Sequence, residues 1–403
     1  MDYLTNDTDL KKVADAIRAK GGTSAPLAYP SGFVSAIQAI KSAPATPYME
    51  AEYVAVEDGS ITSHYIKSAK LYNHTAVYAY EFATQYNLNS LDFGDASNNI
   101  TTIEADAFTS ANLAGIVLPD TITSLQDACF AQAFIATLEL PAQITEIPKN
   151  AFRGINAAYS SETDEELPIN IILPPNLTKI GNYCFYNAQI KQISIPDTVT
   201  EIGESAFQYC IGLTSFVIPP LLQKIPQYML QGCENITAIT IPAAVTEIGE
   251  GAFENTGITS ITIPATITTL GMSMLRSCVN LATINIQTNV TEIPDRFAQE
   301  SGRTSVTLPD TVETIGDSAF SSSRANLTEI TIPASVTSIG DYAFAQNESM
   351  TTITCLAATP PTLGRNAFTM NTINTTIKVP AASVAAYKAA AGWSTWADII
   401  VAM

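Results

Sequence analysis

A phrase of about 22 to 24 residues returns along most of this chain, and nothing else in the sequence limits the fold as much. One clear instance places Ile193, Ile195, Pro196, Val199, Ile202, Gly203, Ala206 and Phe207 in order. Ile239, Ile241, Pro242, Val245, Ile248, Gly249, Ala252 and Phe253 hold the same positions, as do Ile330, Ile332, Pro333, Val336, Ile339, Gly340, Ala343 and Phe344. The anchoring prolines run from Pro119 to Pro333. Gln287 takes the slot in one coil, and one step of about 33 residues separates Pro141 from Pro174. A fixed period of this length marks a solenoid, in which no coil buries its apolar column alone and stacked neighbours share one core.

Each part of the phrase has a physical role. The Ile-x-Ile pair has period two and predicts a brief strand with both side chains inward. Proline ends that strand, because it has no N–H for the next ladder bond. Val-Thr-x-Ile supplies a second apolar pair, Gly turns the chain, and the phenyl ring of Ala-Phe fills the centre of the coil. With strands about 4.8 Å apart, roughly a dozen coils give a mainly β rod of about 55–60 Å. Leu230 and Leu275 fill the Phe slot, and near Phe297 the aromatic is shifted by one. The pattern closely resembles the BspA-like leucine-rich repeat family over roughly residues 88 to 380. That resemblance implies a right-handed solenoid used for recognition, commonly on bacterial surfaces.

Charge and cysteines narrow the function classes. The net charge is −19, with 19 Lys and Arg against 38 Asp and Glu. Nucleic acid and anionic membranes need clustered Lys and Arg, so neither is an expected partner. No run of 18 apolar residues is present, so no membrane insertion is expected. The first residues are polar and acidic, without the basic start and apolar core of a secretory signal. Either a signal has been removed or the chain is made and used without one; the second is the expectation. Cys129 and Cys184 occupy the Ala slot, and Cys210, Cys233 and Cys278 share a slot three residues after Phe. They read as small buried residues. A Cys210–Cys233 disulfide is open, but free thiols are expected, and no CxxC pair points to zinc.

The ends depart from the repeat. Residues 1–43 predict a short helical hairpin and attachment segment, with Leu10, Val13 and Ile17 on one helix and Phe33 and Ile37 on the other. Gly21 and Gly22 separate them. Two such helices bury too little surface to stand alone, so these residues are the expected assembly element, with a homo-oligomer as the expected state. From Asp7 to Ile37 the segment also resembles leaders of tail and other virion proteins from phages and prophages of gut Firmicutes. Residues 44–87 read as a linker and a degenerate capping coil, 88–380 as the solenoid, and 381–403 as a small helical cap carrying Trp393 and Trp396. A carbohydrate-binding role for the two tryptophans is the alternative to the cap.

The chain offers little for catalysis. Its two histidines, His64 and His74, have no nucleophile or orienting partner in pattern, and its carboxylates spread along the rod. No catalytic residue, cofactor or metal site is expected. An acidic insertion from Gly154 to Pro168 does not match a calcium loop. Binding surfaces are the better search. Tyr183, Tyr186, Tyr209 and Tyr228 fall at slots flanking the Phe corner in three successive coils, and Tyr159 lies in the insertion. Tyrosine gives large contact area at low entropy cost, so these five are the expected contact residues. The expected function is non-enzymatic recognition of a bacterial surface protein or glycan. The first version is a phage or prophage tail protein in a virion, bound to other virion proteins through its N-terminal segment. The alternatives are a host cell-surface adhesin and a purely structural virion part.

Overall fold

The computed structural model describes residues 47–58, 61–88, 90–94, 99–114, 116–158, 166–323, 327–371 and 375–403. Residues 48, 53–58 and 61–65 are described by backbone alone. The expected helical hairpin with Leu10, Val13, Ile17, Phe33 and Ile37 lies outside the described residues, as does Tyr159. The rest is a mainly β solenoid whose apolar slots form one continuous core. Within one coil Val199, Ile202, Ala206 and Phe207 are all buried.

The coils are joined at their corners by an unusual backbone. Thirteen successive corners among the described residues each carry two left-handed residues four positions apart, with φ between +53° and +76°. Asp106 and Ser110, Tyr183 and Asn187, and Arg296 and Glu300 are examples. Most are not glycine, and each such residue costs about 1 kcal/mol. The alternation turns successive peptide planes so that every second N–H points along the rod. Thus the N–H groups of Asp106, Phe108 and Ser110 donate to Asp127, Cys129 and Ala131 of the following coil at 3.2, 2.8 and 2.8 Å. Those of Ala107, Thr109 and Ala111 turn back to Glu104, Asp106 and Phe108. No buried donor in this corner is left over, which offsets the torsional cost.

Inside the corners the phenyl rings stack. From Phe82 through Phe108, Phe130, Phe152 and Phe185 to Phe207 the centroids are 5.1–5.6 Å apart and the planes within 12°. Leu230 and Leu275 interrupt the stack, both fully buried. Phe82 belongs to the stack, so the repeat begins one coil before residue 88. The preceding stretch is not a linker from Tyr48 onward. It is a long antiparallel hairpin of β1 (Tyr48–Asp58) and β2 (Ile61–Tyr72). The end of β2 pairs in parallel with Ser90–Asp92, so the hairpin supplies the first rung of a sheet and covers the end of the core.

At the other end Val384–Ala389 forms the expected helix, and Ile400–Ala402 adds a parallel strand to Thr376–Val379. Trp393 is fully buried against Phe368 and donates to the Pro361 carbonyl at 2.7 Å. It serves as the cap. No helix among the described residues is long and apolar enough to cross a membrane.

Side chains also bond from coil to coil. All six cysteines are free and buried. The thiols of Cys210, Cys233 and Cys278 donate back to the carbonyls of Phe185, Phe207 and Phe253. Burial pushes Cys233 up to about 12 and Cys278 to about 11, so they remain protonated donors at neutral pH. Asp295, Asp317 and Asp341 each accept the backbone N–H of the next coil at 2.7 Å, a ladder that ends on Arg365.

Two features depart from the ideal coil. The Ile-x-Ile strands form in most coils, but none is present at 116–118, 193–195, 216–218 or 239–241, and Ile193 and Ile195 are only half buried. The second ladder, beside the Gly slot, is divided into four runs. The divisions precede Glu146–Ile147, Lys224–Ile225 and Glu292–Ile293. In each of these coils proline stands where others have a glycine N–H, at Pro148, Pro226 and Pro294. Gly203 donates to Ile180 at 2.8 Å and Gly249 to Ile225 at 2.8 Å; Pro226 has nothing to donate to Ile202.

The shift near Phe297 has a structural answer. Phe297 occupies the Ala slot and Ala298 the Phe slot, as their backbone bonds to Leu275 and Ala319 show. Arg303 is fully buried beside them, its guanidinium 5.3 Å from the Phe320 centroid. It donates to the carbonyls of Ala298 and Phe320 and to Ser301 Oγ, while its Nε has no partner. No carboxylate faces it among the described residues. Burial pushes the group down to about 9, so it stays charged at pH 7. Because this value lies below the ordinary one, the folded state binds fewer protons, and the penalty is fully present below about pH 9.

Two outcomes follow for stability. Phe185→Ala removes a stacked ring from a dry core and should lower unfolding free energy by about 3–5 kcal/mol in denaturant titration. Arg303→Met keeps the volume without the charge. It should raise stability at pH 7 by about 1–4 kcal/mol, with the gain shrinking in thermal melts above pH 9.

Candidate binding surface

The corner backbone fixes where side chains point. From Tyr186 through Gln208, Gln231, Glu254 and Arg276 the residue after the Phe slot forms a half-buried polar column. Within it the Gln208 amide donates to Gln231, Gln231 to Glu254 at 2.7 Å, and Arg276 reaches Glu254 at 3.4 Å. Burial holds the Glu254 carboxyl above its usual range. Tyr186 stands in the same column, and the Arg153 guanidinium lies 5.5 Å from its ring.

Tyr186 gathers the neighbouring tyrosines. Its ring meets Tyr183 at 5.9 Å and Tyr209 at 5.7 Å, both edge to face, the geometry aromatic quadrupoles prefer. Tyr183 is 38 % exposed and Tyr209 40 %. Three of the expected contact residues therefore form one wet aromatic cluster with a cation on its flank.

Tyr228 does not join them. Its ring lies on the next coil's Gly251, where a Cβ would come within 2.5 Å of the ring. Its hydroxyl donates to Glu250 at 2.5 Å. That bond, with burial behind it, pushes Tyr228 up to about 12. Tyr209 covers Gly232 in the same way, with a Cβ there 2.4 Å from its ring. Both glycines are left-handed, at φ +76° for Gly232 and +56° for Gly251. The tyrosines thus shield bare backbone as well as presenting rings to solvent.

A cleft of about 490 Å³ opens beside this cluster. It sits where Pro226 interrupts the ladder, between Thr200–Glu204 and Leu222–Gln227. Asn182 and Gln227 on its rim immediately precede Tyr183 and Tyr228, and Glu250 closes one side. Lys224 is its cation, paired with Glu247 at 3.2 Å. The lining mixes amides, carboxylates and one ammonium, which suits a polar ligand or a protein loop. Sequence reasoning located the tyrosines but not the cleft; the signal was the proline in the Gly slot.

Other surfaces are plainer. The outward residue of most strands is exposed, with Val117, Ile172 and Val217 the apolar ones. A cleft of about 380 Å³ lies beside Val117, Glu139 and Ile172. His74 is buried, bonded to Glu81 at 2.9 Å and to the Tyr72 carbonyl, which makes it a packing residue. Among the described residues no group of three or more His, Cys, Asp or Glu is placed to hold a metal.

The Tyr228–Glu250 bond gives a direct spectroscopic readout. Absorbance titration should show one tyrosine ionising near pH 12, and Glu250→Gln should bring that step back toward the ordinary value near 10.

Comparison with known proteins places the fold. No curated protein matches the chain. A leucine-rich repeat protein from Bacteroides ovatus ATCC 8483 is 20 % identical, with a TM-score of 0.50 over 87 % of this chain and 98 % of that one. A leucine-rich repeat protein from Eubacterium ventriosum ATCC 27560 is 20 % identical, with a TM-score of 0.49 over 82 % and 96 %. A leucine rich cell surface protein from Faecalibacterium prausnitzii A2-165 is 19 % identical, with a TM-score of 0.38 over 89 % and 98 %. At 20 % identity the Bacteroides ovatus likeness speaks to fold alone. The profile of the BspA type leucine rich repeat region matches in six copies, over residues 75–210, 168–282, 200–326 and 269–390. With most of its length matched in this way, the chain belongs to the BspA-type leucine-rich repeat family.

Proposed function

We propose that this protein is a non-enzymatic recognition rod that binds a bacterial surface protein or glycan through the corner face between Tyr183 and Glu254. The observation that carries this reading is the cluster of Tyr183, Tyr186 and Tyr209. Its rings are locked against one another, partly exposed, and flanked by Arg153 and by the Pro226 cleft. Rigid tyrosines beside a polar recess are the usual composition of a recognition patch, because few rotamers are lost on binding. The acidic balance of −19 supports a partner that is not itself polyanionic.

The rod is attached, in this proposal, through residues 1–43 to other proteins of a phage or prophage tail, as a homo-oligomer. The support is the resemblance of residues 7–37 to virion leaders and the apolar faces of Leu10, Val13, Ile17, Phe33 and Ile37. The competing reading is an adhesin on the host cell surface, which family membership supports.

One pair of measurements separates these claims. The double variant Tyr183→Ala with Tyr209→Ala should lose about 30-fold in affinity for Firmicutes cells while keeping its circular dichroism, the effect of about 2 kcal/mol expected for a central aromatic pair. Unchanged affinity sinks the corner-face reading. Solution mass should fall from a symmetric oligomer to a monomer when residues 1–43 are removed. A monomer in both forms removes the virion reading and leaves the adhesin.

A further inference from the structure

One boundary between coils differs from the boundary before it in its main chain. In that earlier pair the Thr178 carbonyl accepts the N–H groups of Thr200 and Glu201 at 2.9 and 3.2 Å, and the Thr200 hydroxyl at 3.4 Å. The Ile180 carbonyl accepts the Gly203 N–H at 2.8 Å. One coil on, the equivalent acceptors are the carbonyls of Thr200 and Ile202, and neither receives a donor among the described residues. Gln223 stands where most coils have threonine and Pro226 where most have glycine, and the strands Glu201–Ile202 and Lys224–Ile225 do not pair. The N–H groups of Gln223 and Lys224, on the facing lip, donate to nothing among the described residues.

The cleft of about 490 Å³ lies between these two lips. The carbonyls of Thr200 and Ile202 point along the rod toward the facing coil, as those of Thr178 and Ile180 do, and the cleft separates them from it. Gly203 and Gly249 line it with main chain alone. Two of its charged side chains are drawn off to neighbouring coils. Lys179 holds Glu201 back at 2.8 Å, and Glu247 holds Lys224 forward at 3.2 Å. Two carboxylates remain. Glu204 has no ion pair among the described residues, and Glu250 uses one oxygen on the Tyr228 hydroxyl. The cleft thus presents two open carbonyls and two carboxylates, and its ammonium is already paired.

We infer that this cleft takes the guanidinium of an arginine side chain on the surface protein that the rod recognises. The inference rests on the corner-face reading and narrows its partner from protein or glycan to protein. A guanidinium carries five N–H donors and no acceptor, so it matches a wall of carbonyl and carboxylate oxygens. It is more weakly hydrated than an ammonium and stacks flat on apolar surface, here the Pro226 ring. The peptide group beside it supplies a carbonyl for the N–H groups of Gln223 and Lys224. The net charge of −19 draws a cation toward the site.

The test is saturation-transfer NMR and calorimetry on the full chain with N-acetyl-arginine N-methylamide and its lysine and citrulline analogues. The arginine probe should bind with a Kd in the millimolar range. Citrulline keeps the shape without the charge and should bind at least about tenfold more weakly, with lysine between the two. Glu204→Gln combined with Glu250→Gln should weaken the arginine probe by about tenfold. Pro226→Gly supplies the N–H that Ile202 lacks, so it should close the ladder and abolish binding with circular dichroism unchanged. No transfer from the arginine probe at about 20 mM overturns the inference, as does equal binding of citrulline, lysine binding as tightly as arginine, or binding that survives Pro226→Gly. The Tyr183→Ala, Tyr209→Ala protein should still bind the probe, since neither ring lines the cleft. Loss of cell binding in that variant, with no arginine binding in the parent, leaves the corner face standing and removes this inference. Arginine binding in the parent, with cell binding intact in the tyrosine variant, does the reverse.

Discussion

The whole rod depends on one backbone bargain, struck at every corner. Two residues per coil take the left-handed conformation, and in return alternate N–H groups reach the carbonyls of the next coil. The torsional cost is local, about 1 kcal/mol per residue, while the bonds it permits are between coils. A coil on its own would bear the cost without the return. The corner therefore makes each coil depend on its neighbour in hydrogen bonding, just as the phenyl stack makes it depend on its neighbour in packing. Both run through the same residues, since the ring sits between the two left-handed positions.

This explains what could be read in the sequence and what could not. The apolar slots were legible because each demands a volume: Ile, Val and Phe recur where the core must be filled, and the shift at Phe297 was visible as a break in that rule. The left-handed slots were not. Among the described residues they hold mostly Ser, Tyr and Asn, three Gly, and also Gln, Thr, Asp, Glu, Ala, Arg and Met. The bias toward Ser, Asn and Gly is one that ordinary turns share, so it does not single out the position, and a bond to the next coil admits Tyr, Ala, Arg and Met as well. The hairpin at Tyr48–Tyr72 had a period-two signal, with Met49 and Ala51 packed inward against exposed Glu50 and Glu52, but Pro44 and Pro47 just before it favoured a linker.

The candidate surface was half legible. Four tyrosines at related slots pointed to one patch, and three of them meet. Tyr228 is drawn away by a carboxylate one coil on, a pairing that spacing alone does not reveal. Arg303 was silent for a similar reason. A single basic residue in a Leu or Ile slot reads as noise until the ring it replaces is seen to be missing. In both cases the decisive partner comes from the adjacent turn rather than from the local stretch.

The three prolines in the Gly slot bear on how such a rod responds to pulling. A continuous ladder shares load among all its rungs, whereas Pro148, Pro226 and Pro294 leave seams where one line of bonds is absent. Tension along the axis would concentrate at those seams, with the corner bonds and the core left to carry it. An extended protein anchored at one end and gripped at the other would then yield in blocks of a few turns, giving stepwise lengthening in place of a single rupture.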